Sequence, residues 1–129
     1  MDSNRKILVV TESPQIASIV ISKLERDGFK VFWKSTAAQS IEFIQSDAPN
    51  LAILDSILPD SSGYELLLKI RANPDSGTTP IFILLDTLQE RSAEEFRQNG
   101  AQEVILKPFR PTDLSKKVRK IFQLTISFT

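Results

Sequence analysis

The sequence predicts a doubly wound α/β fold, a single parallel sheet with helices on both faces. Five short apolar runs alternate with stretches of helical periodicity, so the order is strand then helix, five times over. Three of the runs, Ile7 to Val10, Leu51 to Leu54 and Ile81 to Leu85, are unbroken. Strands buried on both faces of a parallel sheet look like this, whereas half-exposed strands alternate. Right-handed crossovers then distribute the helices over both faces.

Each element has its own justification. Ile7 to Val10 forms the first strand. Ser13 and Pro14 offer a cap and a first-turn proline for a helix with an Ile16, Ile19, Val20 and Leu24 stripe, stopped by Gly28. Val31 to Trp33 is short and flanked by Lys30 and Lys34, as an edge strand should be. Thr36 can cap a second helix carrying Ile41 and Ile44, ended before Pro49. Leu51 to Leu54 is the third strand, and a helix with Leu66, Leu67 and Ile70 begins near Gly63 and ends before Pro74. Ile81 to Leu85 is the fourth strand. A fourth helix spans about Gln89 to Asn99 with Ala93 and Phe96 as its apolar face, stopped by Gly100. Val104 to Leu106 is the last strand, and the fifth helix opens at Pro111 with Leu114, Val118, Ile121 and Phe122. Residues 1–124 thus form one domain, and 125–129 a weakly alternating tail.

Composition narrows the chemistry. The chain has 129 residues, 41% hydrophobic and 25% charged, enough for a core without staples. Lysine plus arginine and aspartate plus glutamate both number 16, so zero net charge argues against nucleic acid or an anionic membrane as partner. With no cysteine there is no thiol nucleophile or thiolate metal site, and with no histidine no catalytic triad or His-ligated zinc. No apolar run approaches the ~18 residues of a membrane span, and the N-terminus lacks a signal-peptide pattern, so a cytoplasmic location is expected.

Ligands of open α/β sheets bind beyond the carboxyl ends of the strands. Those ends carry Thr11 and Glu12, Asp55, Asp86, and Lys107 before Pro108. Carboxylates facing one lysine suggest a site, although an ion-pair cluster without transfer chemistry would use the same residues. The first loop lacks the glycines of a dinucleotide site, and no phosphate-binding GxxxxGK[ST] loop exists. A small flavodoxin-like enzyme or ligand binder is thus the remote reading.

The stretch Leu54-Asp55-Ser56-Ile57-Leu58-Pro59-Asp60-Ser61-Ser62-Gly63, with Gly100 to Phe109 and Lys6 to Val10, resembles the receiver domain of bacterial response regulators. The likeness runs from about Lys6 to Phe122. It implies the strand order 2-1-3-4-5 and a non-enzymatic signalling role. Asp55 would be the phosphoacceptor, and Lys107, before a cis proline, would contact the phosphoryl oxygens. Mg²⁺ would be held by Glu12, Asp55 and the Ile57 carbonyl. Partners would be a cognate kinase or signalling scaffold, engaged through the fourth helix, fifth strand and fifth helix.

Four positions depart from the family. Thr11 stands where a second metal-binding acid is usual, so Mg²⁺ binding is expected to be weak. Leu85 replaces the hydroxyl residue that bonds the phosphoryl group, a loss of roughly 1.5–3 kcal/mol. Asp86 replaces a small residue and would repel a phosphoryl group by roughly 1–3 kcal/mol unless it is exposed or pairs with Lys107. Val104 replaces the aromatic residue that moves on activation. Phosphorylation at Asp55 is therefore expected to be weak, with an impaired switch. The alternative is a phosphorylation-independent pseudo-receiver serving as an interaction module. Glu90, Glu94 and Glu95 on the fourth helix and Lys116, Lys117, Arg119 and Lys120 on the fifth are either solvated faces or the halves of a homodimer contact.

Overall fold

The computed structural model describes residues 4–87 and 91–126. Along it lie β1 (Lys6–Val10), α1 (Pro14–Arg26), β2 (Lys30–Lys34), α2 (Ala37–Asp47), β3 (Leu51–Asp55), α3 (Gly63–Ala72), β4 (Ile81–Leu85), α4 (Ala93–Gln98), β5 (Glu103–Leu106) and α5 (Pro111–Ile126). The strands are parallel and lie in the order β2-β1-β3-β4-β5, the order the resemblance implied.

Strand alternation divides the core in two. Leu8, Val10, Ala52, Leu54, Ile81 and Ile83 face α2, α3 and α4, where Phe43, Leu66, Leu67 and Phe96 cover them. Ile7, Val9, Leu51, Ile53, Phe82 and Leu84 face α1 and α5, against Val20, Leu24, Leu114, Val118 and Phe122. Every residue of β3 and β4 is buried, which is why those runs are apolar without a break. β2 is an edge strand, and its Trp33 is 41% exposed.

Local chemistry sets the ends. The Ser13, Thr36 and Ser62 hydroxyls accept the Ile16, Gln39 and Glu65 amides, capping α1, α2 and α3. Gly28 has φ +101°, as a helix stop requires, whereas α2 ends on Ala48 at φ +47°. α4 is shorter than the periodicity suggests. Ser92 and Glu95 form a reciprocal capping box that starts the helix at Ala93, and this local pattern overrides the longer polar stretch before it. The proposed start at Gln89, and Glu90, lie outside the described residues. α5 continues through Ile126, into the segment expected as tail, and 127–129 are likewise outside the described residues.

At the amino ends of β4 and β5, Arg71 fastens three segments. Its guanidinium donates to the carbonyls of Gly100 (2.7 Å), Thr79 (2.7 Å) and Gly77 (3.2 Å) and to Gln102 Oε1 (3.1 Å). At the other end of the sheet, the strands present their carboxyl ends and the charged residues gather.

Candidate functional site at the carboxyl end of the sheet

Asp55 is the last residue of β3 and only 3% exposed. A carboxylate this deep must have its oxygens satisfied. Lys107, which follows β5, donates Nζ–H to Oδ1 at 2.6 Å, an ion pair with both side chains largely buried. The Ile57 amide donates to the same oxygen at 3.2 Å, and the Thr11 hydroxyl donates to Oδ2 at 2.7 Å. The backbone between Ile57 and Ser62 folds back on itself through a short antiparallel bridge. That turn seats Gly63 so close to Asp55 that a Cβ there would lie 2.4 Å from the Asp55 carbonyl oxygen. The Lys107–Pro108 peptide is cis.

Thr11 is fully buried beside β1, next to the neighbouring strand β3. Its hydroxyl oxygen accepts the Ser13 amide at 3.1 Å, so its single proton is directed at Asp55. Its own amide donates to the Lys34 carbonyl, and its carbonyl accepts the Trp33 indole N–H at 2.8 Å. Sequence reasoning read Thr11 as an absent acid. The structure shows a donor to the central carboxylate, and Trp33 as the residue that grips it.

The other expected residues divide into two groups. Glu12, the residue after Thr11, is exposed, and the Ile57 side chain is also exposed. Leu85 and Val104 are buried in the core layer under α2, α3 and α4. Burial of Leu85 contributes about 1.5–3 kcal/mol, so this side chain has a packing role in the core. Asp86 is half-buried, and its amide donates to the buried Ser56 hydroxyl at 3.0 Å. Lys107 pairs with Asp55. A cavity of about 410 Å³ opens beside Lys107, bounded by Ile16, Ile19, Asp86 and Phe109.

The donor set fits a tightly held divalent cation poorly. Both Asp55 oxygens already accept hydrogen bonds, Glu12 points to solvent, and Thr11 is neutral. Among the described residues, no three acidic side chains converge on a point where they could hold an ion. Among the same residues, no helix is long and apolar enough to cross a membrane.

Residues 7–119 match the model of the response regulator receiver domain. This chain belongs to that family. As a curated relative, the regulatory protein VanR of Enterococcus faecium is 37% identical over 114 residues, covering 88% of this chain and 48% of VanR. The transcriptional regulatory protein SrrA of Staphylococcus aureus is 27% identical over 98% of the chain and 51% of SrrA. The receiver therefore spans about half the length of the curated relatives it matches. Among solved structures, a CheY-like receiver domain protein from Methanospirillum hungatei superposes with a TM-score of 0.86 at 26% identity, covering 97% of this chain and 98% of that one. The chemotaxis response regulator CheY4 of Vibrio cholerae superposes at 0.80 and 27% identity, covering 91% and 98%. Receiver domains are signalling modules, which sets aside the flavodoxin-like ligand binder.

The helical faces carry fewer free charges than the sequence suggested. Lys117 pairs with Glu103, and Arg119 with Asp27. Glu95 bonds the Ser92 amide and Arg91, which hold its carboxyl below the usual range.

Proposed function

We propose that this receiver accepts a phosphoryl group on Asp55 weakly, and passes the change on without the family's hydroxyl–aromatic exchange. The single observation behind the reading is the buried Asp55–Lys107 pair at 2.6 Å, beside core-packed Leu85 and Val104. In the reaction, an Asp55 carboxylate oxygen forms a bond to phosphorus as the donor's leaving group departs with its electron pair. Lys107 faces the charge that accumulates. The lysine stabilises transferred phosphate, while the Asp86 carboxylate at the cavity edge opposes its approach. Mg²⁺ would be held by Glu12, Asp55 and the Ile57 carbonyl, in the millimolar range or weaker, and when bound would offset phosphoryl charge.

A ligand shifts a two-state equilibrium only by its differential interaction with the two states. Without a hydroxyl at Leu85, that difference shrinks by about 1.5–3 kcal/mol, roughly ten- to a hundredfold in population. A kinase or scaffold docked on α4, β5 and α5 would then respond little to the state of Asp55. The test is a titration with beryllofluoride and Mg²⁺, read by amide shifts. Shifts near Asp55 and Lys107 with little movement over α4 (Ala93–Gln98) and α5 (Pro111–Ile126) are expected, and large changes in those two helices would sink the proposal.

One observation favours the pseudo-receiver as second reading: both Asp55 oxygens are already engaged. Under it, acetyl phosphate leaves no acyl phosphate on Asp55, and Asp55→Ala binds the partner as the wild type does.

A further inference from the structure

We propose that the Thr11 hydroxyl occupies the place of a divalent cation at Asp55, and that Trp33 is the residue that positions it. This rests on reading Asp55 as the working carboxylate of the domain.

Charge and hydrogen bonding both point this way. A buried cluster of several carboxylates with one lysine is left negative, and a divalent cation then balances it. Here the one fully buried carboxylate, Asp55, is neutralised by Lys107, while Asp86 is half-buried at the edge of the adjoining cavity. Glu12 stays exposed, so it adds no buried charge. The remaining demand is for donors to Asp55 Oδ2, and the Thr11 hydroxyl meets it at 2.7 Å.

Thr11 is held as a built part of the site. Four hydrogen bonds converge on it, two through the hydroxyl and two through the main chain. Because Ser13 N–H is spent on the hydroxyl oxygen, the proton has one direction left. Trp33 supplies the bond that fixes the Thr11 carbonyl, and thereby the turn that carries the hydroxyl. Trp33 stands on the edge strand with its indole N–H directed at the Thr11 carbonyl.

A hydroxyl proton and a metal ion compete for the same Oδ2 lone pairs. Removing the hydroxyl should therefore make a cation bind more tightly, although it also removes an oxygen. A metal-ligand role for Thr11 predicts the reverse, and a purely structural role predicts no change.

The experiment titrates Mg²⁺ alone into wild type, Thr11→Val, Thr11→Asp and Trp33→Phe, following amide shifts of Glu12, Ser13 and Ile57. Trp33 is the only tryptophan, so its fluorescence gives a second readout wherever it is retained. No phosphoryl donor is present, so the result does not depend on whether Asp55 is phosphorylated. Wild type should show no saturation below about 1 mM Mg²⁺. Thr11→Val should bind Mg²⁺ about threefold more tightly or better, and Trp33→Phe should move the same way by less. Thr11→Asp, which restores buried negative charge, should gain about tenfold or more and be stabilised against heat by Mg²⁺. Should Thr11→Val fail to fold, Trp33→Phe carries the same prediction. Sub-millimolar saturation in wild type would overturn the proposal, as would unchanged or weaker binding in both Thr11→Val and Trp33→Phe.

Discussion

At the scale of single residues, Asp55 is defined by what it accepts. Lys107 and the Ile57 amide take one oxygen and Thr11 the other, so the carboxylate is fully satisfied although almost dry. Breaking one side of such a pair costs more than removing both. Lys107→Met should lower unfolding free energy by about 1.5–3 kcal/mol in urea titrations, because Asp55 loses its charged donor. Asp55→Leu added to Lys107→Met should recover much of that loss, and a double mutant no more stable than Lys107→Met would refute the ion-pair account. Asp55 and Lys107 were legible in the sequence because both follow apolar strand runs, in stretches that resemble the receiver family. The role of Thr11 was not legible. Its direction depends on the Ser13 amide and the Trp33 indole, and the latter lies 22 residues away on another strand.

At the scale of elements, apolar pattern and capping residues located every strand and most helix ends, since these signals are local. The exceptions came from contacts and competing local signals. The Ser92–Glu95 box shortens α4, and Asp60, in the loop after β3, caps α2 by accepting the Ala37 and Ala38 amides at 2.8 and 3.1 Å. Nothing in the spacing of Asp60 announces that bond, which spans more than twenty residues. Ala48 shows a different mismatch, a Cβ-bearing residue in the left-handed region where helices favour glycine. Ala48→Gly should therefore stabilise the domain by about 0.5–1 kcal/mol, checked by thermal melting. An unchanged or lower melting temperature would show that the following Pro49 already sets this conformation.

At the scale of the whole molecule, long-range pairs join the layers. Asp27, at the end of α1, reaches α5. Burial alone would raise its carboxyl, but bonds from Ser115 and Lys23 and the charge of Arg119 outweigh this and hold it below the usual value. The amides of Ala37 and Ala38 lower Asp60, and the Ser92 amide with Arg91 lowers Glu95. All three bind protons less readily folded than unfolded, so their stabilisation is complete above the ordinary values of 3.8 and 4.5 and fades as pH falls through the depressed folded values. Melting temperature should be flat near neutrality and fall with acid below about pH 5, and Asp27→Asn should make that fall shallower. A wild-type curve that rises on acidification would contradict this. The sheet's two ends also differ in what holds them. The carboxyl end is tied by side chains to one carboxylate, while at the amino end the Arg71 guanidinium gathers main-chain carbonyls from separate segments. Opening that end locally would strand several carbonyls at once, so it should open only when the whole domain does. In deuterium exchange, the Ile81 and Gln102 amides should be among the slowest, and exposed loop residues at the carboxyl end, such as Glu12, should exchange sooner. The receiver would thus keep time with two clocks, a slow one at the Arg71 end and a faster one in the exposed loops beside Asp55.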